Sequence, residues 1–121
     1  MLQRDDDEHE VPLDWHAPFE HIVSAFLAKD FHLFDQPIHG VEPISPSTAT
    51  SIADNIAAYG APLAALNAAT WDRSIYRWMD GYWQFLVDLT TEEEEVSDLT
   101  LHARLDDAPT ARLKVQSVHV P

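Results

Sequence analysis

Along two stretches of this chain apolar and polar residues alternate with a period of two. From Trp83 the apolar positions are Phe85, Val87 and Leu89, interrupted by Gln84 and Asp88. After an acidic run they are Leu99, Leu101, Ala103 and Leu105, opposite Asp98, Thr100, His102 and Arg104. Successive side chains of a strand point to opposite faces, so the pattern predicts two half-buried strands that share one apolar face. Asp80-Gly81 before Tyr82 predicts a two-residue hairpin, because both central residues of a type I′ turn need positive φ and this pair tolerates it. Ser74 to Met79 then become a further strand. Past a turn at Asp106-Asp107-Ala108-Pro109, Ala111, Leu113 and Val115 alternate with Arg112, Lys114 and Gln116 as another strand. Val118 and Val120 fall on the opposite parity, which predicts a bulge near Gln116-Ser117 or a second buried face.

The N-terminal half has helical spacing instead. Phe19, Ile22, Val23, Phe26 and Leu27 form one stripe, with Phe31 and Phe34 extending it towards the helix end and Pro12 and Pro18 at its entry. Pro37, Gly40, Pro43 and Pro46 break residues 35–47 into a loop. Ser47 or Thr48 is the expected N-cap of a second helix through Ile52, Ala53, Ile56, Ala57 and Tyr59, stopped by Gly60. Leu63 and Leu66 read as a short helical turn. Helices followed by hairpin-connected strands predict an α+β fold, with N-terminal helices packed on one face of a mainly antiparallel sheet of about four strands. Tyr76, Trp78, Tyr82 and Leu86 are expected together on the far face, where an uncovered aromatic patch would be a contact site.

Composition changes this picture at the ends and on the surface. Residues 1–10 carry Asp5, Asp6, Asp7, Glu8 and Glu10 with little to bury and read as a disordered acidic tail, leaving 11–121 as a single domain. The chain has 21 acidic against 7 basic residues, a net charge of −14, which disfavours nucleic acid and anionic lipid and favours a basic partner. A salty habitat is the rival source of such acidity, since only Lys29 and Lys114 are lysines. Without cysteine there is no disulfide, thiolate metal site or cysteine nucleophile, which suits a reducing cytoplasm. No apolar run approaches the roughly 20 residues of a membrane span, and the acidic start is unlike a signal peptide, so a soluble, unprocessed protein is expected.

The stretch Val87-Asp88-Leu89-Thr90-Thr91-Glu92-Glu93-Glu94-Glu95-Val96-Ser97-Asp98-Leu99-Thr100-Leu101, with Trp83 upstream, resembles a family of small uncharacterised bacterial proteins. Those read approximately Trp-x-x-x-Val-Asp-Leu, an aromatic, a short acidic turn ending in Gly, then Ser-Asp-Leu-Thr-Leu. Here Thr90 stands in place of the aromatic and Glu95 in place of the Gly. The resemblance implies no activity. In size, charge and fold class the chain is also similar to small acidic immunity proteins that neutralise bacterial toxins.

The candidate chemistry is sparse. Glu92 to Glu95 with Asp88 and Asp98 are rich in oxygen, but adjacent glutamates diverge, whereas a calcium loop alternates its ligands around a Gly. No metal and no cofactor are expected. Seven histidines are scattered without a zinc-hydrolase signature, and three glycines cannot build a phosphate loop. The reading is a non-enzymatic binding protein for a basic protein partner, most plausibly a toxin. Glu92, Glu93, Glu94, Glu95 and Asp98 supply the charge, and Trp78, Tyr82 and Trp83 the apolar anchor if exposed. The alternatives are a small enzyme with a carboxylate and histidine site between helices and sheet, or a self-associating structural domain, and the oligomeric state stays open.

Overall fold

Asp80 and Gly81 have φ of 56° and 125°, and Met79 N donates to the Tyr82 carbonyl at 2.7 Å, closing the two-residue turn that the sequence predicts. Around this hairpin the computed structural model describes residues 2–121. In chain order it has β1 (His9–Glu10), a short 3-10 turn (Leu13–Trp15), α1 (His16–Leu27), α2 (Pro46–Tyr59) and β2 (Leu63–Ala64). There follow α3 (Ala68–Arg73), β3 (Ile75–Trp78), β4 (Tyr82–Asp88), β5 (Thr90–Thr91), β6 (Thr100–Asp106) and β7 (Lys114–His119). The main sheet is antiparallel, in the order β1-β3-β4-β6-β7, and β2 pairs with β5 in a separate ribbon. The fold is α+β, with five strands in the sheet rather than about four.

The helices lie on one face of the sheet. Phe19, Ile22, Val23 and Phe26 of α1 are buried in one core with Phe85, Val87, Leu101, Val115 and Val118, and the Phe19 and Phe85 rings are 5.3 Å apart. Removing side chains of this kind from water contributes roughly 1.5–3 kcal/mol each, which is why the period of two is so regular in β4 and β6. Helix α2 packs against β7, where Asn55 Nδ2 donates to the Val118 carbonyl at 2.9 Å. In β7 the register shifts between Ala103↔Val115 and His102↔Ser117, so Gln116 is the extra residue of a bulge. Val115 and Val118 both reach the core as a result.

Several expectations are corrected. Residues 3–8 are exposed, yet the acidic segment is anchored to the sheet: Leu2 is buried, Gln3 bonds Tyr76 and Trp83, and β1 adds a fifth strand beside β3. Composition favours disorder there, but the open edge of β3 and the indole N–H of Trp83 both need partners. Met1 lies outside the described residues. Helix α1 stops at Leu27; Phe31 packs half-buried on Phe26 beyond it, and Phe34 is exposed. The N-cap of α2 is Ser45, whose Oγ accepts from Thr48 N, because Pro46 occupies the first helical position that its ring favours. Leu63 belongs to a strand, not a helical turn.

The aromatic face is also rearranged. The hairpin pairs Tyr76 with Phe85 and Trp78 with Trp83, so even-numbered residues of β3 share a face with odd-numbered residues of β4. Tyr76 is therefore core and Trp78 lies beside Trp83, while Tyr82 and Leu86 point to the opposite, helix-free face.

Candidate functional site

The acidic turn is built by the chain leaving the main sheet. After Asp88 the buried Leu89 is held by Leu99, its amide donating to that carbonyl at 3.0 Å, and β5 then diverts to pair with β2. Thr91 Oγ1 accepts from the amides of Glu93 and Glu94 at 3.3 and 3.1 Å, and Glu92 N donates to Pro62 O at 2.9 Å. The far side is fastened by Thr90 Oγ1 and Asn67 Nδ2, both donating to Glu95 O. Ser97 Oγ donates to Leu89 O at 2.8 Å and closes the base. Threonine and serine hydroxyls here do what a tight glycine turn does elsewhere, satisfying backbone groups locally. The side chains of Glu92, Glu93, Glu94, Glu95 and Asp98 are left in solvent.

Tyr59, at the end of α2, ties the turn to the helical layer. Its hydroxyl donates to Glu94 Oε1 at 2.6 Å and accepts from Asp98 N at 3.1 Å. The Glu94 carboxylate, which accepts this proton's hydrogen bond, raises the phenol pKa above its ordinary value, so the hydroxyl stays a donor. Beside the turn runs a groove of about 730 Å³ between α1 and α2, with Glu92 on its rim and Leu27, Phe31, Ile56 and Pro62 along its walls. Leu27, the last residue of α1, is 43% exposed. Asp88 stands at the nearby end of β4. Burial raises its pKa, against the pull of Thr100 Oγ1 at 3.3 Å and Arg73 at 3.8 Å.

The expected anchors do not join this patch. Tyr82 opens β4 and Asp88 ends it, a span of roughly 20 Å at the usual rise of a strand, so Trp78, Tyr82 and Trp83 lie at the end of the sheet away from the turn. Trp83 is only 6% exposed and is not a free anchor. Trp78 is half-buried, its ring 4.9 Å from that of Trp83. On the other face Tyr82 is half-buried under the guanidinium of Arg104, 3.8 Å from its ring.

One arrangement needed strand register to be seen. Arg77, Gln84, Arg104 and Lys114 are successive partners across β3, β4, β6 and β7, a row of three basic side chains and one glutamine on the helix-free face of an acidic protein. In the neighbouring rows His102 and His119 stack at 4.4 Å, and Ser117 Oγ lies 3.0 Å from His119 Nδ1. Among the described residues no carboxylate is bonded to His119, so the serine and histidine lack the third group that orients a nucleophile's base. No group of three or more histidine and carboxylate side chains among the described residues is placed to hold a metal ion. No helix among them is long and apolar enough to cross a membrane.

No curated protein and no solved structure matches the chain significantly. A family model, described as a domain of unknown function, matches residues 23–121, which takes in the turn, the groove and four of the five strands of the sheet. The chain belongs to this family, DUF7668.

Proposed function

We propose that the protein is a non-enzymatic binding protein that occupies a basic protein partner. The most specific form of the proposal is an immunity protein that neutralises a basic toxin in the cytoplasm. The observation that carries the reading is the acidic turn itself: its backbone is fastened at Pro62, Asn67, Thr90 and Thr91 while four consecutive glutamate side chains face solvent. A loop ordered before binding loses little conformational freedom on association, so its charge is available for recognition at low entropic cost. The four carboxylates, added to a net −14, steer a cationic surface into place and reject an anionic one. The groove walled by Leu27, Phe31 and Ile56 offers the apolar contact that turns an encounter into a complex. Trp78 and Tyr82, each half-buried with an arginine over its ring, would be met only by a partner that reaches the far end of the sheet and displaces Arg4 or Arg104.

Capture from native cells with the wild-type chain and with a variant carrying glutamine at Glu92, Glu93, Glu94 and Glu95 tests the reading. The wild type should retain a basic protein that the variant loses, with both chains equally stable. Retention of the same protein by both, or of an acidic protein, contradicts it.

A further inference from the structure

Residues 2–4 occupy a site of defined chemistry. The backbone of Gln3 is paired on both sides to aromatic side chains: its amide donates to Tyr76 Oη at 2.9 Å, and Trp83 Nε1 donates to its carbonyl at 2.9 Å. The next side chain, Arg4, lies over two indoles, with its guanidinium carbon 4.8 Å from the Trp83 ring centroid and 5.8 Å from that of Trp78. Its Nη2 and Nε donate to the two carboxylate oxygens of Asp107 at 3.0 and 3.3 Å. The two tryptophan rings are inclined at 55° to each other and make a corner, and the Asp107 carboxylate pairs with the guanidinium that lies over it. A flat, weakly hydrated cation with forked donors suits such a corner, whereas a lysine ammonium cannot make the paired bonds.

Besides these contacts the segment is held by Leu2, which is buried in the core, and by the His9 ring, stacked on Tyr76 at 5.3 Å and paired with Asp5 at 2.7 Å. β1 adds only the pairs His9↔Tyr76 and Glu10↔Ile75, and between them and Arg4 lie the exposed Asp5, Asp6, Asp7 and Glu8 on a chain already strongly negative. Tyr76, Trp78, Trp83 and Asp107 fall inside the residues matched by the family model, and Arg4 falls outside them. A groove of about 430 Å³ lies beside Trp83 and Asp107, lined also by Trp15, Leu105 and Pro109.

We propose that Trp78, Trp83 and Asp107 form an arginine-recognition slot, that Arg4 is its internal occupant, and that an arginine-bearing extended segment of a protein partner exchanges with residues 2–10. The basic character of that partner rests on the function proposed above; the slot and its preference for a guanidinium do not. Trp83 thus contributes to recognition from beneath the N-terminal segment, in the place where sequence alone suggests an exposed anchor.

The test uses the full chain with Arg4→Ala and three end-blocked peptides, Leu-Gln-Arg-Asp and the same peptide with lysine or norleucine in place of arginine. Amide exchange over residues 3–10 and the Trp83 indole N–H resonance are the readouts. Arg4→Ala should speed exchange in this segment at least tenfold while the core strands stay protected. The arginine peptide should shift the Trp83 indole resonance and bind the Arg4→Ala chain at least tenfold more tightly than the norleucine peptide does, with lysine between them. It should bind the wild type more weakly, because Arg4 competes, and Asp107→Asn should weaken it in either background. Unchanged exchange in Arg4→Ala, equal binding of the arginine and norleucine peptides, or equal binding to wild type and Arg4→Ala would each overturn the slot. The glutamine variant of the acidic turn should leave these peptide results unchanged, so failure of the slot and failure of the acidic-turn reading are told apart.

Discussion

The hydroxyl of Tyr59 reaches Glu94 at 2.6 Å across 35 positions of sequence, and the same oxygen accepts the amide of Asp98 at 3.1 Å. One side chain of the helical layer therefore ties the acidic turn at Glu94 and at its exit, Asp98. Tyr59→Phe keeps the ring and removes the oxygen. Amide exchange at Asp98 and through Glu92 to Glu95 should accelerate, while exchange in β4 and β6 stays unchanged. Equal protection of the turn in both proteins would mean that the threonine and asparagine contacts suffice without the tyrosine.

Asp30 plays the corresponding role after α1. It is buried, and its carboxylate accepts the amides of Phe34, Asp35 and Gln36 at 3.1, 3.0 and 2.9 Å, gathering a loop in which Leu33 has a φ of 62°. Asp30→Ala leaves these donors without an acceptor and should cost about 2 kcal/mol. Asp30→Asn, which keeps one carbonyl oxygen, should cost less. Urea unfolding of the two variants checks the order.

Val87 is fully buried between Phe85 and Leu89 on the face turned to the helices. Val87→Asp sets an unpaired charge in apolar surroundings and should destabilise by about 4 kcal/mol. Thermal unfolding at the wild-type midpoint would contradict the placement of β4.

His102 gives the stability a pH dependence. Burial on the sheet, and after it the electrostatic influence of the neighbouring His119 and Arg77, hold its pKa below the ordinary 6.5, and its Nε2 has no hydrogen-bond partner. Its cross-strand neighbours Leu86 and Ser117 carry no charge. The native state therefore takes up the proton less readily than the unfolded chain. The contribution is fully present above pH 6.5 and is lost as pH falls through the lowered native value. In urea midpoints between pH 7.5 and pH 5, the wild type should decline and His102→Asn should flatten that decline. Parallel curves would show that His102 is not its source.

What the sequence makes legible follows from the range of the interactions. The period of two in Trp83 to Leu89 and Leu99 to Leu105, the Asp80-Gly81 turn, the bulge at Gln116 and the stop at Gly60 each depend on a few adjacent residues. The exposure of Glu92 to Glu95 follows from charge alone. The ordered segment 2–10 does not, because acidic composition speaks for solvation, and Gln3 and Arg4 find Tyr76, Trp83 and Asp107 only in the folded chain. The two-residue strands β2 and β5 are too short to show a period. The placement of Trp78 beside Trp83 rather than beside Tyr82 depends on hairpin register, which inverts parity between β3 and β4. The basic row from Arg77 to Lys114 is spread over four strands and has no local signature.

The function proposed above has the acidic turn recognise a basic partner by charge. It is tested most directly by the association rate of the captured partner with the wild type and with the glutamine variant at Glu92 to Glu95, measured across salt concentration. Charges on this exposed loop are screened beyond roughly 8–10 Å near physiological ionic strength. The rate should therefore be fastest in dilute buffer, fall as salt is added, and fall less steeply for the variant, with the two curves converging at high salt. An association rate indifferent both to salt and to the four substitutions would contradict recognition by the acidic turn.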